Sequence, residues 1–268
     1  MTVKLTFGIA LIALILIGCV LYLRHTFNTH LDLIEMKIHA SATNALPRTD
    51  LPPEVMALAQ KMGARSDGAS SAAFTQSGTM WLSPGGRAMQ FTAHQIVGVS
   101  TPTFCWRAAL GPAGAVLVAD YFSEGTGGLE VKLLGAIPLA RMVGTPGMNQ
   151  GEMLRYLAEV PWNPDAILKN TLLDWTVIDS RTIKVASGVG VDHGEITFNL
   201  NSHGLIDRIS APSRLYSAQG KMIALPWHGR FWDYRNIGGR FLPAQGEVAW
   251  VIDGKAFVYW RGSLLSWR

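Results

Sequence analysis

Residues 73–122 read AFTQSGTMWLSPGGRAMQFTAHQIVGVSTPTFCWRAALGPAGAVLVADYF. Short apolar or alternating runs are cut by Ser83-Pro84-Gly85-Gly86 and Gly111-Pro112-Ala113-Gly114, whose residue types suit turn backbone. The spacing predicts strands over Phe74–Leu82, Met89–Val99, Thr103–Leu110 and Ala115–Phe122. The gaps leave no room for crossover helices, so successive strands must pair antiparallel as a meander.

The same texture extends in both directions. Leu129–Leu139 reads as a fifth strand, and Glu124-Gly-Thr-Gly-Gly128 before it as a hairpin loop rather than a phosphate cradle. One helix then interrupts: Asn149 is placed to cap it, with Glu152 reaching back, Met153, Leu157 and Val160 on one face, and Pro161 closing it. Strands resume at Trp175–Ile178, Thr182–Ala186, Glu195–Leu200 and Leu205–Ser210. A last pair, Val248–Ile252 and Lys255–Arg261, is joined by Asp253-Gly254, the dipeptide of a two-residue hairpin. Upstream, Pro52-Pro53 opens a short helix through Met62, ended by Gly63. The expected fold is α+β and mostly β: an N-terminal transmembrane helix, then a strongly curved antiparallel sheet, or open barrel, with a central helix on its concave side. A helix that only partly fills such a sheet leaves an apolar cavity.

Leu5–Leu23 is a run of nineteen residues without a charge, closed by Lys4 and by Arg24-His25. At about 1.5 Å per residue it crosses roughly the 30 Å hydrocarbon core of a bilayer. Its end admits two readings. Leu16-Ile17-Gly18-Cys19 matches a lipobox, which makes Cys19 a lipidation candidate; against this, Val20-Leu21-Tyr22-Leu23 prolongs the apolar run to Arg24, as in a retained span. Length and flanks favour the span. The organisation expected is residues 1–24 as anchor or signal segment, 25–50 as a juxtamembrane stalk or short helix, and 51–268 as one β-rich domain. Residues 5–23 thus provide the membrane contact, in a single-pass protein of the bacterial cell membrane with its domain on the extracytoplasmic side. The basic residues flanking the run barely decide orientation. Cysteine does not help, since Cys105 is the only one besides Cys19 and no intradomain disulfide can form between them.

Nine tryptophans are available for a core or for a groove that takes an acyl chain, glycan or peptide. Arg208–Arg268 holds nine basic and three acidic residues in a chain of net charge +4, which suits anionic headgroups or a solvated face paired through Asp233, Glu247 and Asp253. Nucleic acid is disfavoured by the anchor and by the lack of a base-reading motif. No G-x-S-x-G elbow, phosphate loop, H-E-x-x-H or C-x-x-C occurs, so no cofactor or metal is expected. Asp192-His193, and His94 with Asp120, are pairs without a third partner. Arg155 and Glu159, four apart, share a helix flank, and Tyr156 and Glu159 would project together if that helix lies in the mouth of the sheet.

Arg155-Tyr-Leu-Ala-Glu159-Val-Pro-Trp162, Trp175-Thr-Val-Ile-Asp179, Pro226-Trp-His-Gly229, Glu247-Val-Ala-Trp250 and Tyr259-Trp-Arg-Gly262 together resemble a bacterial family of unknown function marked by an R-Y-L-A-E-x-x-W core. Phe91-Thr-Ala-His-Gln95, Phe104-Cys-Trp106 and Asp120-Tyr121 resemble its earlier blocks. The resemblance implies one bacterial domain, often behind an N-terminal span, with Gln95, Trp106, Asp120, Tyr156, Glu159, Trp162, Asp179, Trp227, Glu247 and Arg261 as candidate ligand-binding residues. The architecture is also similar to the periplasmic lipoprotein-carrier fold, an open barrel sheltering acyl chains. Two functions from different classes are therefore expected: binding of a lipid, acyl chain or other amphipathic ligand between sheet and helix, or an enzyme with Glu159 as acid or base beside Tyr156 or Asp120, since burial drives a carboxyl toward its protonated form. A protein-interaction scaffold at the membrane is the further alternative.

Overall fold

The computed structural model describes residues 2–41, 47–188, 193–218 and 221–268. Asp192, and Ala42, Thr43 and Asn44 of the stalk, lie outside the described residues. Thirteen strands form one sheet: β1 (Ser71–Trp81), β2 (Ala88–Gly98), β3 (Phe104–Leu110), β4 (Val116–Ser123), β5 (Thr126–Leu133), β6 (Ile137–Val143), β7 (Asp174–Asp179), β8 (Thr182–Ser187), β9 (Gly194–Leu200), β10 (Ile206–Ala218), β11 (Lys221–Ile237), β12 (Arg240–Ile252) and β13 (Lys255–Trp267). Their spatial order is β6-β5-β4-β3-β2-β1-β13-β12-β11-β10-β9-β8-β7, antiparallel throughout. Two meanders are thus joined where the first strand lies beside the last, and β6 and β7 remain as edges. The sheet curls into a half-barrel, the curved antiparallel sheet expected from the turn spacing.

Hairpin chemistry sets the register. Glu124-Gly125, Gly238-Gly239 and Asp253-Gly254 each supply two consecutive positive φ angles between paired strand ends. That is the type I′ geometry whose twist matches the strands it joins. Leu134 and Gly135 (φ 56° and 74°) turn the chain in the middle of the expected strand Leu129–Leu139, which is therefore two strands, β5 and β6. β10 and β11 run to thirteen and seventeen residues, far beyond the expected Leu205–Ser210. The pairing of β10 with β11 shifts register between Ala211 and Arg214, around Pro212, so proline sits at an irregularity where no ladder donor is needed.

The chain between the edges crosses the concave side as α3 (Pro146–Ala158), a 3-10 turn (Val160–Trp162) and α4 (Asp165–Lys169), with α3 touching β4, β5, β8, β9 and β10. This is the central helix expected, but it starts earlier. Thr145 is the cap, its Oγ1 accepting from the Met148 N–H at 3.3 Å, with Pro146 in the first turn. A Thr-Pro start outweighs the Asn149 signal because proline's missing N–H is one the helix leaves unpaired anyway. Asn149 instead accepts from the Gly127 N–H at 2.9 Å, and Glu152 is buried. α2 (Pro53–Lys61) closes one end of the core with Val55, Leu58 and Ala59. There Arg240 donates to both oxygens of buried Asp165 at 2.8 and 2.7 Å, tying α4 to β12.

α1 runs unbroken from Thr2 to Ala40. From Phe7 through Ile17 it is exposed on all sides, and it is long and apolar enough to cross a membrane. Phe27, Leu31, Ile34 and Ile38 then recur on one face and pack against Ile96, Cys105, Ala119 and Tyr121 on the outer side of β2–β4. This burial pushes the Cys105 thiol up to about 12, with Glu35 adding to it. Around the seam Arg107 bridges Asp32 (2.8 Å) and Glu35 (2.7 Å), Lys37 reaches Glu124 (2.6 Å), and His39 meets Ser71 (2.8 Å).

Candidate functional site

Side chains directly opposite on neighbouring strands share a face. Gln95 pairs with Trp106, Trp106 with Asp120, and Asp120 with Leu129, so β2 to β5 carry one row of side chains across the inner face. Arg155 of α3 lands on this row. Its Nε donates to Glu159 Oε1 at 2.9 Å, its Nη1 to Asp120 Oδ2, and its Nη2 to Gln95 Oε1 at 3.3 Å, while Gln95 Nε2 donates to the other Glu159 oxygen. The guanidinium lies 4.8 Å from the Phe104 ring centroid and 5.1 Å from that of Trp106. Arginine suits this place because its planar fork hydrogen-bonds at the edge and stacks on its face. The carboxylates around it hold its charge more firmly than usual, outweighing the penalty of burial.

A second arginine repeats the arrangement from the other meander. Arg214 of β10 stacks 4.6 Å from Trp227 and 5.6 Å from Trp250, contacts Glu152 at 3.5 Å, and donates to the Tyr259 hydroxyl at 3.3 Å, which also accepts from Trp227 at 3.1 Å. Burial above all, and then the Asp120 carboxylate, pushes the Glu152 carboxyl well above the ordinary range, against the pull of Arg214 and Arg155. Among the described residues, Asp120 Oδ1 and Glu152 Oε2 are buried acceptors without a hydrogen-bond donor. Arg155 faces Asp120 and Glu159 and Arg214 faces Glu152, so each buried arginine has an acidic partner and its cost of burial is contained.

Beside the cluster the sheet and the α3 segment enclose a cavity of about 110 Å³. Its aromatic wall includes Trp106, Trp162, Trp227, Phe231, Tyr259 and Trp260, with Val118, Leu129 and Ile209 among the aliphatic residues; Asp120, Arg155, Glu159 and Arg214 are among its polar ones. Trp162 plugs it from the 3-10 turn, with its Nε1 donating to Pro243 O at 2.9 Å and its ring against Phe74, Phe231 and Trp260. A Cβ at Gly246 would stand 2.9 Å from this indole, so only glycine lets the plug seat.

Of the candidates, Gln95, Trp106, Asp120, Glu159, Trp162 and Trp227 are brought together here. Glu247 also lines the cavity, but its carboxylate is engaged by Arg261 at 2.8 Å and Arg230 at 3.7 Å, so Arg261 is a strand-to-strand partner on the surface. Tyr156 does not project beside Glu159. It is buried beneath α3, donating to Gly98 O at 3.0 Å and accepting from Asn170 at 2.9 Å. Asp179 is exposed at the end of β7, accepting from the Arg181 N–H at 2.8 Å. His94 and Asp120 do not converge: His94 pairs with Arg107 in the outer row, beside Glu35. Arg214, Glu152 and Tyr259 belong to the site and were not singled out as site residues, because they come from β10, α3 and β13, which only the curled sheet and the crossing helix bring together. Among the described residues no group of three His, Cys, Asp or Glu is placed to hold a metal ion.

A model for a family of unknown function, DUF6920, matches residues 49–267. Among curated proteins there is no match. Solved structures similar to this chain include a LolA superfamily protein from Nitrosomonas europaea (13% identity, 80% of this chain and 92% of that one, TM-score 0.44). A DUF1329 family protein from Desulfovibrio piger is similar at 11% identity, 80% and 90% coverage and TM-score 0.45. A domain from Vibrio parahaemolyticus, named for outer membrane lipoprotein sorting, is similar at 7% identity, 80% and 90% coverage and TM-score 0.44. Likeness this loose carries no argument about a ligand.

Proposed function

The chain belongs to the DUF6920 family of unknown function, and from its geometry we propose that it is a membrane-tethered binding protein that takes an apolar or amphipathic ligand, a lipid or its acyl chain, on the concave face of the half-barrel. The observation that carries this is the cavity walled by Trp106, Trp162, Trp227 and Trp260, with the cluster of Arg155, Arg214 and their acidic partners at one end. Binding sites for small molecules have this composition: mostly apolar and aromatic, with a few convergent polar groups that orient the ligand. An apolar cavity of about 150 Å³ holds a molecule the size of benzene. At about 110 Å³ the cavity therefore takes the end of a chain or a small ring, and the rest of the ligand lies along the concave face. Glu159 has both oxygens occupied, by Arg155 and Gln95, which supports a positioning role for it rather than that of an acid. Residues 5–23 serve as the retained span, and the unbroken passage of α1 into the outer face supports that over cleavage at Cys19. We place the domain on the extracytoplasmic side.

The test is quenching of tryptophan fluorescence by brominated fatty acids in the full-length protein. Saturable quenching is expected, and it should be lost in Val118→Phe, which fills the cavity while keeping the wall apolar. Quenching that is absent, or identical in the two proteins, sinks the proposal.

A further inference from the structure

We infer that the cleft between α1 and the β5–β6 hairpin is a second membrane contact, which seats an anionic phospholipid headgroup beside the span; this rests on reading residues 5–23 as that span. α1 fixes the height of the domain, because the helix that leaves the bilayer at Arg24 is the one that docks through Phe27 and Leu31. The hairpin lies at the same level: a Cβ on Gly135 would meet Arg24 Cγ at 2.8 Å. At and beyond this turn Leu134 (43%), Ile137 (50%) and Leu139 (56%) are exposed on the edge of the sheet, where a solitary soluble domain gains nothing from them.

Between hairpin and helix is a cleft of about 280 Å³, lined on its apolar side by Leu23 and Phe27 and on its polar side by His30, Lys132 and Arg141 around one carboxylate, Glu130. Glu130 stands 3.8 Å from Lys132, 3.7 Å from Arg141 and 3.5 Å from His30, and 3.4 Å from the Tyr121 hydroxyl. All three nitrogen–oxygen distances exceed a good hydrogen bond. Lys132 and Arg141 thus share one anion, and donors of both remain for a phosphate. Lys132 also lies 4.0 Å over the Phe27 ring, which holds its charge at the mouth of the cleft. A lipid phosphate there would leave its acyl chains beside Leu23 and the exposed hairpin residues, where the bilayer already is. Basic residues at this depth attract anionic lipid.

The test uses the full-length chain in vesicles of phosphatidylcholine, with or without phosphatidylglycerol. Nitroxide labels are read by collision with oxygen and with a water-soluble nickel complex, at native Cys19 and, in a Cys19→Ser background, at Leu134→Cys and Ile137→Cys. Nickel access at both hairpin sites should be several-fold lower than in detergent-free aqueous loops such as Asp67→Cys. It should fall further with phosphatidylglycerol, and Lys132→Glu with Arg141→Glu should cancel that second fall. Water-exposed hairpin labels with a lipid-exposed Cys19 overturn the inference and leave the span standing. A water-exposed Cys19 overturns both. Immersed hairpin labels indifferent to phosphatidylglycerol and to charge reversal overturn the headgroup site.

Discussion

The two faces of β2–β5 differ by one residue in the sequence and by everything in their chemistry. The inner row is Gln95, Trp106, Asp120 and Leu129; the outer row, one step along each strand, is His94, Arg107, Ala119 and Glu130. Inside, Arg155 lies over two neighbouring aromatic rings and its partners are shielded from water. Outside, Arg107 performs a similar bridging task, but its partner Asp32 is largely exposed. Because the period of a strand is two, a slip of one residue would exchange the face that carries the Arg155 cluster with the face on which α1 docks, so the hairpin turns that pin register also keep these two faces apart.

The largest effect should separate the two arginines. Arg155→Ala leaves Asp120 and Glu159 buried without their cation and should cost about 3–5 kcal/mol. Arg107→Ala should cost about 1 kcal/mol, as for a partly solvated pair. Thermal melting in one detergent compares them, and equal losses would break the distinction between faces.

Next comes the seam itself. Ile38→Ala removes a fully buried side chain from the outer cluster and should cost about 2 kcal/mol, at the low end for such a truncation because an outer helix can settle into the gap. Limited trypsinolysis should then cut at Lys37 faster while the β domain stays intact; an unchanged cleavage rate would mean α1 contributes little to the outer face.

A smaller effect distinguishes the faces by pH. The Glu152 carboxyl is raised, chiefly by burial, so between its ordinary value of about 4.3 and its native one the folded state binds more protons than the unfolded state. Stability should therefore fall as pH rises through that window. Glu35 on the outer face is raised too, by burial, and slopes the same way. Glu152→Gln should remove the Glu152 share of the slope, leaving the fall due to Glu35 and, nearer the ordinary histidine range, the opposite rise from His94, whose imidazole is held below that range by burial. Melting curves over a pH series give the answer, and an unaltered slope would show that Glu152 holds no extra proton.

The smallest effect lies away from both rows. Lys184 and Glu195 pair at 2.8 Å across β8 and β9 with both side chains open to water, so Lys184→Ala should shift stability by no more than about 0.5 kcal/mol in chemical denaturation. A larger loss would mean that surface pairs in this sheet carry weight that ought to be confined to the inner cluster.

What was legible in the sequence was what short-range chemistry decides. Asp253-Gly254 makes its turn alone, Pro161 ends α3 alone, and the charge-free run Leu5–Leu23 needs no partner to be recognised. The curvature and the helix on the concave side followed from the tight spacing of turns. The strand boundaries at Leu134-Gly135 and the length of β10 and β11 were hidden, because proline and charged residues there read as loop until a bulge accommodates them. Six of the candidate site residues met at one cavity, and their meeting depends on Arg155 reaching across 35 and 60 positions to Asp120 and Gln95. Arg214 and Glu152 had no local signal at all: one sits in a long strand, the other mimics half of a capping box, and only the fold brings them together.

The most direct measurement of ligand binding on the inner face is native mass spectrometry of the full-length protein released gently from its own membrane, beside Val118→Phe prepared identically. The wild-type protein should carry a non-covalent mass of lipid size that is lost on denaturation and missing from Val118→Phe. A wild-type protein that arrives empty, or a mass retained equally by both, would contradict a ligand in the cavity between the sheet and α3.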